Sequence, residues 1–399
     1  MPHFGLPPYR RLPRALSTRR RPAYLALLVA ILGAACSSGP DRATDTLVAD
    51  GTAPGASAGP ASDSTLPLLS DTLTPVVVTD TLPGDSDDPA IWVDPRNPAS
   101  SRILGTDKGD STGGVYAFGL DGHIIANASV HPLMRMNNVD RELGFARGTA
   151  RVDIAVATER NRQMLRVFSL PDMRAIDGGG IPVFDGDLNR APMGVALYRR
   201  PRDGAVFAFV GGKAGPTDGS YIWQYQLSTD ASGRVVGRKV RAFGAYSGRK
   251  EIEAITVDDS LGFAYYSDEG VGVRQYYADP DSNGTQLALF ATTGVSDDHE
   301  GLAIYATGAN TGYLLLSDQG ANRLHVYSRE GTASDPFAHR RLAVIPVRAQ
   351  QTDGLDVTEH ALGAAYPRGM LVMMSNRGAF HYYDWRDVES AIARAAGRR

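Results

Sequence analysis

The sequence predicts an all-β chain folded as a six-bladed β-propeller, with four-stranded antiparallel blades around a central channel. Short alternating apolar runs bounded by Gly, Pro, Asp and Asn recur from about residue 75 onward, the period-2 pattern of half-buried strands. Similar units then repeat at a spacing of about 40–60 residues, which points to radial repetition of small sheets rather than one continuous sheet. Six unit openings are visible: Asp88-Pro89-Ala90-Ile91-Trp92-Val93, Val152-Asp153-Ile154-Ala155-Val156, Met193-Gly194-Val195-Ala196-Leu197-Tyr198, Glu253-Ala254-Ile255-Thr256-Val257, Asp298-His299-Glu300-Gly301-Leu302 and Asp353-Gly354-Leu355-Asp356-Val357. With 399 residues and 43% hydrophobic content, the chain is long enough for one large repeat domain or two ordinary ones. One is favoured, because repeat architectures routinely outgrow a single core.

The first 36 residues read as a processing segment. Six arginines with no acid among them precede Cys36, and Ala23 to Ala35 is an apolar run too short for a comfortable membrane span. Cys36, the only cysteine, is followed by Ser37-Ser38-Gly39, which resembles a bacterial lipoprotein signal in which Cys36 becomes the lipidated first residue. Thr18-Arg19-Arg20-Arg21 also hints at a twin-arginine signal. Export follows, to the cell envelope or beyond, with membrane contact only through that anchor. Removing residues 1–35 moves the formal charge from −3 to −9, so the mature chain is a poor binder of nucleic acid. It has no disulfide to staple it, so core packing and bound metal must stabilise it.

Residues 37–74 are rich in Ala, Gly, Ser, Thr, Asp and Pro and read as a linker without order. The propeller is expected over 75–392. Pro75 to Thr79 is a strand ahead of the first unit, placed to close the ring by pairing with the last blade. Only the last dozen or so residues look helical.

In a propeller the first strand of each blade lines the channel, so the acids opening five of the six units converge near one axis. Carboxylates crowded there repel one another, and a bound cation is the usual remedy. Oxygen donors without Cys favour a hard ion such as calcium. The same acids could equally be solvated turn residues. His299 alternates to the face opposite Asp298 and Glu300 and is expected to pack rather than ligate.

Asp88-Pro89-Ala90-Ile91-Trp92-Val93-Asp94-Pro95 closely resembles the opening motif of the alkaline β-propeller phytases. Collinear matches follow at Gly105-Thr106-Asp107-Lys108, Asn137-Asn138-Val139-Asp140, Gly211-Gly212-Lys213, Asp298-His299-Glu300-Gly301-Leu302, Ser317-Asp318-Gln319-Gly320 and Thr352-Asp353-Gly354-Leu355-Asp356-Val357. The resemblance implies an exported calcium-dependent phosphomonoester hydrolase acting on phytate or related inositol phosphates, working as a monomer. It implies several calcium ions held by Asp88, Glu253, Glu269, Asp298, Glu300, Gln319 and Asp353, with Asp268 the fallback for Glu269. Glu253, Glu269 and Glu300 would serve the catalytic centre, and Lys108, Arg141 and Lys213 would hold substrate phosphate. Departures from the family stand at Met193, where a tyrosine is expected, at Ala214, where an acid is common, and at Arg141, displaced by one residue. Ser375-Asn376-Arg377-Gly378 replaces an acidic loop. A calcium-dependent hydrolase of another ester or lactone, and a non-catalytic propeller binding a polyanion or protein, remain as alternatives; the retained lysines argue against the former.

Overall fold

The computed structural model describes residues 68–296 and 298–397. The processing segment with Cys36, and the linker as far as residue 67, lie outside the described residues. Six antiparallel sheets account for nearly all of the structure. The first blade is Ser86–Trp92, Arg102–Asp107, Gly113–Phe118 and Val130–Leu133. The second is Met136–Arg147, Ala150–Glu159 and Met164–Leu170, the last pairing outward with both Arg174–Ala175 and Ile181–Pro182. The third is Pro192–Arg199, Val206–Gly212, Ile222–Thr229 and Val235–Phe243, and the fourth is Ile255–Asp258, Phe263–Asp268, Gly272–Tyr277 and Ala288–Phe290. The fifth is His299–Ala306, Gly312–Asp318, Arg323–Ser328 and Arg341–Pro346. The sixth is Leu355–Thr358, Met370–Ser375 and Ala379–Asp384, completed on its outer edge by Val77–Val78. As expected, a strand from before the first blade closes the ring. Val77 pairs with Tyr382.

The ring is held by packing between blades. Six apolar clusters occur, one at each junction between neighbours: Trp92 and Leu104 meet Met136 and Phe168, and Ile91 and Phe118 meet Met370 and Phe380 across the closure. This follows from strand alternation, since residues above and below each sheet must find a partner sheet. The innermost strands of adjacent blades touch all the way round. There is little room between them: a Cβ on Gly194 would lie 2.0 Å from the Glu253 carbonyl, and one on Gly354 would lie 2.2 Å from Asp88 Oδ1.

Two expected boundaries change. Order begins before Pro75, because Leu69 and Leu73 are buried against the last two blades and Leu73 N–H donates to the Pro346 carbonyl at 2.8 Å. At the other end Trp385–Gly397 forms a helix past residue 392, burying Trp385, Val388, Ala391, Ile392 and Ala395 on one stripe. The Trp385 ring stacks on Tyr305 at 3.6 Å. The second blade also corrects the repeat: Val152 to Val156 belongs to its second strand, and its innermost strand carries Asn137-Asn138-Val139-Asp140. A run of apolar residues at strand spacing cannot distinguish an inner from a second strand by itself.

Candidate active site

The site is built from three positions that recur in every blade. In four blades the innermost strand carries a bulge at the same place, between Ser86 and Pro89, Met136 and Val139, Pro192 and Val195, and His299 and Leu302. A bulge breaks the pairing and re-aims a side chain. The residue so placed is Asp87, Asn137, Met193 or Glu300. In the fourth and sixth blades the paired strand begins two residues later, and Glu253 and Asp353 occupy the corresponding position. These six residues form the first ring.

The residue just after each second strand forms another ring: Lys108, Arg160, Lys213, Glu269, Gln319 and Asn376. Its backbone N–H ties it to the segment leading into the innermost strand. Lys108 bonds the Asp85 carbonyl, Arg160 that of Arg135, Lys213 that of Ala191, Glu269 that of Glu251, Gln319 that of Asp298 and Asn376 that of Gln350. The third position, two residues before the first ring, is therefore Asp85, Arg135, Ala191, Glu251 and Asp298 in the first five blades; in the sixth it is Gln351, one residue past the bonded Gln350. Arg135, Ala191 and Gln351 have φ of 57°, 39° and 49°, a left-handed backbone that side chains other than Gly tolerate at a cost.

Read blade by blade, the rings divide the channel mouth into unlike halves. The first three blades contribute every cation of the rings, Lys108, Arg135, Arg160 and Lys213, together with Asp85 and Asp87 of the first. The fourth contributes Glu251, Glu253 and Glu269, the fifth Asp298 and Glu300, and the sixth Asp353. Most of these residues line one cavity of about 400 Å³. One oxygen from each of Glu251, Glu253 and Glu269 lies within 4.8 Å of the others, and the same holds for Glu269, Asp298 and Glu300. Glu269 is common to both groups.

The electrostatics of the acidic half are those of charge without enough compensation. Burial, then Glu253, Glu251 and Asp298, push the Glu269 carboxyl up to about 9. Burial and Asp87 push Asp353 up to about 7 against the pull of Lys108. Glu253 and Glu300 are raised well above the usual range, chiefly by burial and then by neighbouring acids. Glu269 Oε1 and Glu300 Oε2 are buried without a hydrogen-bond partner. Asn137 Nδ2 donates to Asp87 at 2.8 Å and to Glu253 at 3.2 Å, and Gln319 Nε2 donates to Asp353. Lysines supply part of the missing charge: Lys108 reaches Asp87 at 2.8 Å and also Asp353, Lys213 reaches Glu251 at 2.6 Å, and Lys250 reaches Asp298. The Arg160 guanidinium makes no hydrogen bond or ion pair among the described residues. Burial, then Arg135, lower its pKa while Glu253, Glu251 and Asp87 oppose them.

Of the residues expected from sequence, Glu253, Glu269, Asp298, Glu300, Gln319, Asp353, Lys108 and Lys213 gather here. Asp268 is excluded as an alternative to Glu269, since it is fully buried and held by Arg274 at 2.8 Å and by Ser247. Asp88 does not join them. It sits in a smaller channel cavity with Asn138, Asp140 and Asp356, accepting from Val139 N–H at 3.1 Å; Asp87 takes the ring position instead, fully buried and bonded by the cavity residues Lys108 and Asn137. Arg141 is also elsewhere, beside Asp140 and Asp356, with Nε donating to the Ile91 carbonyl at 3.0 Å. His299 packs as expected, with Nε2 at 2.8 Å from the Ala291 carbonyl. Sequence reasoning missed Arg135, Arg160 and Glu251. The signal was present: Arg160 follows the acid ending its strand as Lys108 follows Asp107 and Glu269 follows Asp268.

The chain is similar to known proteins of one family. A family model described as Phytase matches residues 44–379. The chain is 29% identical over 303 residues to a 3-phytase of Bacillus subtilis (strain 168), covering 72% of this chain and 73% of that protein.

Proposed function

Because this chain belongs to the phytase family, a family of phosphoric monoester hydrolases, we propose that it releases phosphate from phytate with calcium held in the acidic half of the channel mouth. The observation that carries the proposal is one cavity of about 400 Å³ lined both by five cations, Lys108, Arg135, Arg160, Lys213 and Lys250, and by a cluster of acids drawn from the last three blades and the segments leading into them. A hydrolase of uncharged esters or lactones has no use for the cationic half. The acidic half fits calcium because its donors are oxygens, two of them buried and unpartnered, and because the two groups sharing Glu269 each offer three carboxylates. Bound there by Glu251, Glu253, Glu269, Asp298 and Glu300, calcium supplies positive charge to the phosphate oxygens and makes water more acidic.

The rest is work for the chain itself. A phosphomonoester is multiply anionic and hydrolyses very slowly unassisted, so positioning and charge stabilisation dominate its catalysis. Lys108, Arg135, Arg160 and Lys213 bind and orient the phosphate from the side of the first three blades. A phosphate held by them shares one cavity with Glu251, Glu253, Glu269 and Glu300. Glu269 and Glu300 present buried oxygens able to accept the proton that the attacking water gives up. Export through residues 1–36, with lipidation at Cys36, is part of the same proposal and would bring the enzyme to substrate outside the cytoplasm.

The test is phosphate release from phytate by the mature chain with calcium and with chelator. Release that requires calcium supports the reading. Equal release in both conditions would remove the calcium part, and no release in either would remove phytate as substrate.

A further inference from the structure

The chain contains four lysines and thirty-seven arginines, and three of the four lysines line the channel mouth. Arginine serves the structural ion pairs of this protein, as in Arg329 with Asp258 at 2.6 Å and Arg166 with Asp177 at 2.8 Å, all four side chains buried. Its planar fork suits a fixed, many-bonded pair, whereas a lysine ammonium is a point charge on a flexible stem that can exchange one partner for another. The choice of lysine at the mouth is therefore a choice of movable charge.

Two of these lysines rest on particular acids. Lys213 pairs with Glu251 at 2.6 Å, and Lys250 pairs with Asp298. Glu251 belongs to the group Glu251, Glu253 and Glu269, and Asp298 to the group Glu269, Asp298 and Glu300. Each group thus has one carboxylate held by an ammonium, and it is the more exposed one: Glu251 and Asp298 are half-buried while Glu253, Glu269 and Glu300 are buried. The buried members point unpartnered oxygens, Glu269 Oε1 and Glu300 Oε2, at the same space. Both ammoniums also border the cavity where an anion must sit.

We propose that the Lys213–Glu251 and Lys250–Asp298 pairs are latches that couple cation loading to anion binding. In the unloaded state each ammonium stands in for a cation on an acid of one group. A divalent cation entering that group takes the carboxylate, the ammonium is released, and it turns to the phosphate. Cation and anion then bind with positive coupling, and by linkage each raises the affinity for the other by the same factor. This rests on the calcium reading above and adds to it an order of events: cation first, grip on phosphate second.

The test uses the mature chain stripped with chelator. Calcium binding is measured by calorimetry with and without inorganic phosphate, below the concentration at which calcium phosphate precipitates. In the wild type, phosphate should tighten calcium by about tenfold, within the usual span of such couplings. In Lys213→Met/Lys250→Met calcium alone should bind more tightly than in the wild type, because its competitors are gone, and the coupling to phosphate should fall toward unity. Selective 13Cε-lysine labelling gives a second readout, with four signals assigned by single Lys→Arg variants. Calcium alone should move the Lys213 and Lys250 signals and leave that of Lys239, which lies against Trp223, in place. Calcium binding with unmoved Lys213 and Lys250 signals, or full coupling in the double variant, overturns the latch while leaving the calcium reading intact. Absence of any calcium binding overturns both.

Discussion

Removal of calcium should make this protein less stable as the pH is raised from 7 to 9, the reverse of ordinary acid denaturation. In the cation-free fold Glu269 is pushed up to about 9, and Glu253 and Glu300 are also raised well above the usual range. A carboxyl whose pKa is raised by folding keeps a proton that the unfolded chain has already lost. The folded state then binds more protons across that window, and stability falls as pH rises through it. Below about pH 6.5 the effect is mixed with its opposite, because burial lowers the pKa of His299, His339 and His381 and their neutral folded forms favour higher pH. The lowered carboxylates, such as Asp258, where burial is outweighed by Arg329, the Leu261 N–H and Ser260 together, are ionised in both states above pH 5 and do not contribute. Between pH 7 and 9 the fall comes chiefly from the cluster, joined by Asp88, raised by its burial, and by Asp259, pushed up to about 7 by burial and Glu142.

One pKa unit is worth about 1.4 kcal/mol, so Glu269 alone bounds the loss over two pH units at about 2.7 kcal/mol. Water in the open mouth and the nearby lysines reduce this, while Glu253 and Glu300 add to it, which leaves a net loss on the order of 2 kcal/mol. An unfolding entropy of about 2.1 cal/mol/K per residue over roughly 330 residues converts this to a fall of about 3 °C in Tm. Calcium at a hundredfold excess over its Kd should restore about 2.7 kcal/mol, and more visibly at pH 9, where fewer protons compete. The assay is scanning calorimetry at pH 7, 8 and 9 with chelator and with calcium. A Tm in chelator that is flat or rising over this range, with an equal calcium shift at each pH, would refute the reasoning.

Three substitutions follow from the same geometry. Glu300→Gln keeps shape but removes a charge from the second acidic group, so phytate turnover should fall below detection and the calcium-induced rise in Tm should shrink, while circular dichroism stays that of the wild type. Lys213→Met should lower kcat/KM for phytate by about ten- to a hundredfold, the worth of a charge-assisted contact, whereas Lys239→Met, which leaves a carbon stem over Trp223, should stay near wild type in a steady-state phosphate assay. Arg160→Met should lower kcat/KM to a similar extent with little change in Tm, and Arg141→Met should do the opposite, costing about 1–3 kcal/mol in denaturant unfolding by removing the Nε bond to the Ile91 carbonyl and the positive charge beside Asp140 and Asp356; matching effects of the two would contradict their separate placement.

What could be read from the sequence, and what could not, divides along one physical line. Blade number, ring closure and most of the acidic cluster were legible because they depend on strand alternation and on a repeat that survives in residue type. The misplacements of Asp88 and Arg141 arose where one residue of register decides direction. Asp87 and Asp88 are adjacent and chemically identical, and only the bulge between Ser86 and Pro89 turns the first toward Lys108 and Asn137 and the second toward the smaller channel cavity. Arg141 follows Asp140 in a strand whose alternation carries it past the site, so its resemblance to a phosphate-binding arginine did not specify its position. Arg160 was hidden for a different reason: beside Arg162 and within an arginine-rich chain it has no distinguishing composition, and its meaning appears only once the six second strands are laid on one another. Superposed in that way, the sequence shows why the mouth has two halves. At these three positions every cation, Lys108, Arg135, Arg160 and Lys213, falls in the first three blades, while the fourth carries acids at all three and the fifth at two. A pseudo-symmetric scaffold can place unlike charges face to face with no change of backbone, because only the residues at three repeated positions need differ.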